Sequence, residues 1–235
     1  MGLIVEEGRL VVYDSSRWRL LQQKRALALA LLRHLERHGI AGFLYGSVAR
    51  GDIAERSDVD VFVPDYNHAL LEQVGREFAE PHRVAIVQAT PSHAPKAYIY
   101  FDAEELYCLS FPLAPLSPRE EEFYRFGGLL SLRGLEAGDR VPGVNKRLML
   151  VYPVEEGHRE LEVVGREGPV ARLLGISQET VKERVRVLSR RREKGRTGVY
   201  MAYTLRPGET LAAALFSLAS LKAPLRRLLE SRGVL

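Results

Sequence analysis

The chain has 235 residues, 46% apolar and 27% charged, enough for one large domain or two small ones and too apolar to be disordered as its main state. No run reaches the roughly 18 apolar residues of a membrane span, and the first residues lack the basic and apolar regions of a signal peptide, so a cytoplasmic protein with no membrane partner is expected. The single cysteine, Cys108, excludes an internal disulfide and a cysteine-based zinc site; its apolar neighbours predict a core thiol.

Residues 3–13 read as a short strand pair about Glu7-Gly8, and Asp14-Ser15-Ser16 offers an N-cap for the next element. Trp18, Leu21, Leu27, Leu31, Leu32 and Leu35 recur at helical spacing and predict a helix over 17–37, stopped by Gly39. A short apolar strand, 41–45, runs into Gly46-Ser47. One or two helical turns fit 48–53, a strand over 59–63 closes at Pro64, and a helix over 69–79 ends before Pro81. Further strands are predicted at 83–88, 97–101 and 106–111. Pro112, Pro115 and Pro118 mark a boundary. Beyond it come a helix over 119–132, a glycine- and charge-rich loop over 134–145, and a strand over 148–154. A compact helical unit over 158–206, with a β-hairpin at its end, and helices at 209–221 and 224–230 complete the chain. The order predicts an α+β (α/β) fold in three parts: residues 1–115, a connecting 116–157, and a C-terminal 158–235.

The net charge of +4 is unevenly placed. Residues 158–206 carry 12 Lys/Arg against 6 Asp/Glu, whereas the remainder holds 22 against 24, so the positive excess lies in one segment.

Two motifs carry chemistry. Tyr45-Gly46-Ser47-Val48-Ala49-Arg50-Gly51 precedes Ser57-Asp58-Val59-Asp60-Val61. Strand alternation puts Asp58 and Asp60 on one face and Val59 and Val61 on the other. Adjacent carboxylates repel unless a cation lies between them, and Mg²⁺ (or Mn²⁺), an oxygen-seeking ion that brings phosphate ligands, suits them. Upstream, a strand that ends in Gly46-Ser47 and turns into a helix is a phosphate cradle, with Arg50 either a further phosphate contact or a solvent-facing helix residue. The ordered pair of motifs resembles the polymerase-β-like nucleotidyltransferase superfamily, in its small, minimal form. That resemblance implies a nucleotidyltransferase-like mixed sheet over about 15–115, an NTP as substrate or ligand, and two metal ions on Asp58 and Asp60. It also implies a third carboxylate on a later strand, where this chain offers Ser110 or, on the other candidate strand, Gln88; Asp65, Asp102 or Glu105 would have to reach the metal from a different direction, so a nucleotide-binding domain impaired in transfer is the alternative to an active enzyme.

The second motif is an apolar helix, Gly175, and Ser177 as the N-cap of another helix, the pattern of a helix-turn-helix. It resembles bacterial and archaeal helix-turn-helix regulators and implies a small winged-helix-like domain. Gln178, Lys182 and Arg186 would face outward, and Arg190, Arg191, Arg192, Lys194 and Arg196 would grip the phosphates of DNA or RNA. Such helix pairs also serve as packing or dimerisation elements. Paired half-sites suggest a homodimer. The basic stretch 140–147 either lines one of these sites or turns between domains. His34 and His38, at i and i+4, are expected to be solvated.

Overall fold

The structure is a computed structural model that describes residues 6–195 and 198–235. Residues 3–5 of the predicted strand pair and the predicted phosphate contact Arg196 lie outside the described residues. In chain order the elements are β1 (Arg9–Val12), α1 (Ser15–Arg37), β2 (Phe43–Tyr45), α2 (Ser47–Arg50), β3 (Val59–Phe62), α3 (His68–Phe78), β4 (Arg83–Gln88), β5 (Lys96–Tyr100) and β6 (Tyr107–Pro112). There follow α4 (Pro118–Gly127), β7 (Leu129–Ser131), α5 (Leu132–Glu136), β8 (Gly143–Val144), β9 (Met149–Val154) and β10 (Gly157–Glu162). The chain closes with α6 (Glu167–Leu174), α7 (Gln178–Lys194), β11 (Met201–Thr204), α8 (Leu211–Leu221) and α9 (Ala223–Ser231). The fold is mixed α+β. Among the described residues no helix is long and apolar enough to cross a membrane.

A seven-stranded sheet runs in the order β11-β4-β5-β6-β3-β2-β7. The β3/β6 pair is parallel and the others are antiparallel. Period-two alternation gives the sheet two different faces. Leu44, Val61, Leu109 and Ile99, cross-strand neighbours on one face, join the main core together with Leu31, Leu32 and Leu35 of α1 and Leu71 and Val74 of α3. The same register puts Tyr45, Asp60, Cys108 and Tyr100 side by side on the opposite face. There α4 lays Tyr124 on Phe62, with ring centroids 3.5 Å apart. Local capping sets the helices: Asp14 accepts a hydrogen bond from the Arg17 amide at 2.8 Å, and Ser117 with Glu120 forms a capping box at the start of α4. That helix ends at Gly127, five residues short of the predicted 132, because Gly128 turns at φ +94° and the next three residues pair with β2 as an edge strand.

A second sheet, β1-β10-β9-β8, is wholly antiparallel and packs with α6 and α7 around Leu148, Leu150, Val163, Val170, Val181 and Leu188. The predicted boundaries at 115 and 158 do not coincide with these two cores. Leu211, Leu215, Leu225 and Leu229 of the closing helices sit in the main core, whereas β1 pairs with β10, about 150 residues away in sequence. Instead of a hairpin after the helix pair, the described residues give β11, which pairs with β4 at the edge of the large sheet. The strand β10 replaces the first part of the predicted helical unit. Its inward His158 and Glu160 are held by Tyr13, 2.6 Å from His158 Nδ1, and by Arg9 and Arg147, each 2.7 Å from Glu160.

The cores meet where β8 passes α4. A methyl group on Gly143 would stand 2.8 Å from the backbone of Gly127 and Gly128, which has no side-chain rotamer with which to yield. Gly143→Ala is therefore expected to destabilise the fold by about 1–3 kcal/mol in urea unfolding, the range for overpacking a close approach; an unchanged midpoint would mean that the two cores are not in such contact.

Candidate active site

Where β2 ends, Gly46 adopts φ +83°, a backbone state that side chains disfavour, and its amide donates to Gly128 O at 3.0 Å. A methyl group there would meet nothing within 4 Å, so the glycine supplies a sharp turn with an uncovered approach. The helix that follows, α2, is a single turn of four residues. It exposes Ser47 to a cleft of about 560 Å³ whose lining also includes Asp58 and Asp60. Sequence reasoning thus placed Gly46, Ser47, Asp58 and Asp60 together, and the fold brings them to one cleft. The cations Arg17, Arg56, Lys146 and Arg147 stand around it. Lys146 and Arg147 come from the basic stretch 140–147, for which the sequence left two placements open. Arg17 and Arg56 carry no sequence signal that separates them from other surface arginines. Among them Arg17 Nε is buried without a hydrogen-bond partner.

Asp60 is held on a central strand between Tyr45 and Cys108. Burial first, and then the charge of Asp58, raises its carboxyl to about pKa 6. This is the environment of a carboxylate pair that lacks its counter-charge, and the hard oxygen donors suit Mg²⁺ or Mn²⁺. The neighbour expected to be Ser110 is a different residue. Parallel pairing aligns Asp60 with Cys108 and moves Ser110 beside Phe62, where its hydroxyl faces Val61 O at 3.5 Å. Cys108 Sγ donates to Asp60 Oδ1 at 3.0 Å, and burial together with the Asp60 charge pushes the thiol well above its ordinary pKa. It stays protonated, a soft and neutral group where a third carboxylate was expected.

Arg50 requires a further correction. It lines the cleft, yet its side chain is buried rather than solvent-facing: Nε and Nη2 donate to Asp52 at 2.9 and 3.1 Å, and Nη1 donates to Gly127 O. Asn145 Nδ2 adds a 3.3 Å bond to the same carboxylate. The fork is therefore a clamp between α2 and the end of α4, with three of its five N–H donors committed within the protein.

The helix pair is present. Gly175 caps α6 in the left-handed region, and Ser177 caps α7 by accepting from the Thr180 amide at 3.3 Å. Its anchor is Glu122 of α4, whose carboxylate accepts from the Ser177 amide at 3.0 Å, the Ser177 hydroxyl at 2.6 Å and the Thr180 hydroxyl. Gln178, Lys182, Arg186 and Arg190, four apart, form an exposed slanting stripe. Arg191 turns instead to a cavity beside β5, and Arg192 donates to Arg147 O; Lys194 is exposed at the end of the helix. At the far end of α1, His34 is buried against Val74 O at 3.0 Å, contrary to the expected solvation, and His38 Nε2 lies 3.2 Å from Glu77.

The raised carboxyl gives a pH test. An acid with a folded pKa near 6 and an unfolded value near 4 destabilises the fold as it ionises, so the penalty grows between about pH 4 and 6 and is constant above. In metal-free buffer Asp60→Asn should therefore stabilise the protein by up to about 3 kcal/mol at neutral pH. The gain should vanish below pH 4; thermal melts that show the same difference at both pH values would contradict the assignment.

No curated protein and no solved structure matches the chain. Residues 27–105, about a third of it, match the family model described as the nucleotidyltransferase domain, a segment that holds Gly46, Ser47, Asp58 and Asp60 and stops short of Cys108, α4 and α7.

Proposed function

We propose that the protein is a Mg²⁺-dependent nucleotidyltransferase that moves a nucleoside monophosphate from an NTP to a hydroxyl of a nucleic-acid or protein acceptor. General nucleotidyl transfer is the activity that the matched domain supports. The observation that carries the reading is the meeting, in one cleft, of the Gly46-Ser47 turn, the Asp58/Asp60 pair and four cations. The uncovered turn admits a phosphate to the Ser47 hydroxyl, and Lys146, Arg147, Arg56 and Arg17 offset the charge of the triphosphate. Asp58 and Asp60 would hold the metal; Mg²⁺ or Mn²⁺ bound there supplies the charge that aligns the triphosphate and stabilises departing pyrophosphate. Arg50 keeps the turn rigid through Asp52, so the cradle is set before the nucleotide arrives.

With α-labelled NTPs, Mg²⁺ and candidate acceptors, the wild-type chain is expected to transfer label and Asp58→Asn/Asp60→Asn to lose at least about 100-fold of the rate, as for removal of a charge-stabilising group. Equal transfer by both proteins would reject the enzyme reading. A second reading, a nucleotide-sensing regulator with impaired transfer, is favoured by one observation: the group that touches Asp60 is the protonated Cys108 thiol. Nucleotide binding that depends on Asp58 and Asp60, without turnover, would select it.

The exposed stripe on α7 supports nucleic-acid contact, DNA or RNA, in either reading, and a homodimer would present two such stripes. If three of its cations meet phosphates, Lys182→Gln/Arg186→Gln/Arg190→Gln should lower the slope of log K against log salt by up to about 3, close to one per contact. An unchanged slope in a fluorescence titration would remove α7 from the interface.

A further inference from the structure

A second cavity, of about 400 Å³, opens beside β5, between the turn that precedes it, α4 and α7. Its walls include Lys96, Phe123, Arg184 and Arg191. Strand alternation puts Lys96 on the same sheet face as Tyr98, Tyr100 and, through Cys108, Asp60. Two strand spacings across and four residues along separate Lys96 from Asp60 by roughly 16 Å of sheet. Tyr45, which lines the first cleft, lies 6.0 Å from Phe123 and 5.3 Å from Tyr124 by ring centroids, so an aromatic wall stands between the two cavities.

The second cavity holds an excess of positive charge. Lys96 Nζ sits 4.4 Å from the centroid of Tyr124 and 5.2 Å from that of Phe123, while the Arg184 guanidinium lies 4.8 Å over Phe123. Arg184 Nε is buried with no hydrogen-bond partner. The nearby carboxylates are committed elsewhere. Glu120 accepts from the Ala94 amide, from the Ser117 amide and hydroxyl, and from Arg232, all at 2.6–2.8 Å. Glu183 is 3.9 Å from Arg119. Among the described residues Lys96, Arg184 and Arg191 have no ion-pair partner; for Lys96 and Arg184, which are half-buried, that is a costly arrangement unless an anion joins them, and Arg191 stands exposed at the rim. Burial pushes the Lys96 ammonium down to about pKa 8, and the smaller opposing pull of the Glu120 carboxylate does not offset it.

We propose that this cavity is a second binding site, for a phosphate-bearing small molecule whose phosphoryl oxygens accept hydrogen bonds from Lys96, Arg184 and Arg191. Its size fits a compact phosphomonoester and is far below that of a duplex, and the planar donor fork of Arg184 matches phosphate oxygens in pairs. The site is separate from the nucleotide cleft and does not depend on transfer activity. It also gives two cations of α7 a task inside the molecule, distinct from that of the exposed stripe.

Isothermal titration of the full chain with ribose 5-phosphate, inorganic phosphate and ribose tests the assignment. The two phosphates should bind and ribose should not. Lys96→Gln/Arg184→Gln should weaken ribose 5-phosphate about tenfold or more, the size expected for lost hydrogen bonds between charged groups. Asp58→Asn/Asp60→Asn and Lys182→Gln/Arg186→Gln/Arg190→Gln should leave its affinity unchanged. Circular dichroism checks that each variant folds. Should the double variant fail to fold, the exposed Arg191→Gln serves in its place and should weaken binding about threefold, as the loss of one rim contact. Equal affinity in the cavity variant, a loss confined to the aspartate variant, or no phosphate binding at millimolar concentration would overturn the proposal.

Discussion

Everything the protein presents to a ligand depends on the alternation along β3. The strand is central, hydrogen-bonded to β2 on one side and β6 on the other, so a slip of one residue would turn Val59 and Val61 out of the main core and Asp60 into it. Burial of the valines thus fixes where the carboxylates point. The same register aligns Tyr45, Cys108 and Tyr100 with Asp60 and leaves helices α1 and α3 on the far face only. A sheet whose two faces carry such different residues can be packed in one way, which is why a ligand-facing surface and a stable core coexist in seven short strands.

The second organising contact is the Arg50–Asp52 pair beneath the Gly46-Ser47 turn. A buried ion pair adds little net stability, because desolvation of both charges opposes their attraction, but loss of either partner strands the other. Here each partner also joins other elements: Arg50 reaches Gly127 O, Asp52 receives Asn145, and the Ala49 carbonyl accepts from the Val141 amide. The pair is therefore specific to the docking of the small sheet against the large one. That docking is what carries Lys146 and Arg147 to the cleft.

Much of this organisation was legible in the sequence, and the misses share a cause. The long first helix, the 83–88 strand and the Gly46-Ser47/Asp58/Asp60 set were readable because the pattern that defines each is local. What failed depended on partners remote in the chain. Gly157–Glu162 reads as polar and unfit for a strand until Tyr13, Arg9 and Arg147 arrive to satisfy His158 and Glu160. Choosing between Ser110 and Cys108 as the neighbour of Asp60 required the register of a parallel pair, which no local signal encodes. Arg50 and Asp52, two apart at the end of a one-turn helix, meet only because Gly51 bends the backbone at φ +102°. The charge excess of residues 158–206 was real as a sum but not as a surface, since α7 divides its cations between an exposed stripe and a cavity.

The pairing of β1 with β10 bears on how the chain folds. Val11 faces His158 and Arg9 faces Glu160, so the edge of the small sheet closes a loop of about 150 residues. The large sheet has a similar dependence, because its edge strand β11 joins β4 across more than a hundred residues. The entropy of closing such loops is met before their contacts reward it, which places this topology among slow folders. During synthesis β1 must wait, edge exposed, until about 150 further residues have emerged. Its short length, four residues with an exposed Arg9, limits how well it can pair with a wrong partner in the interval.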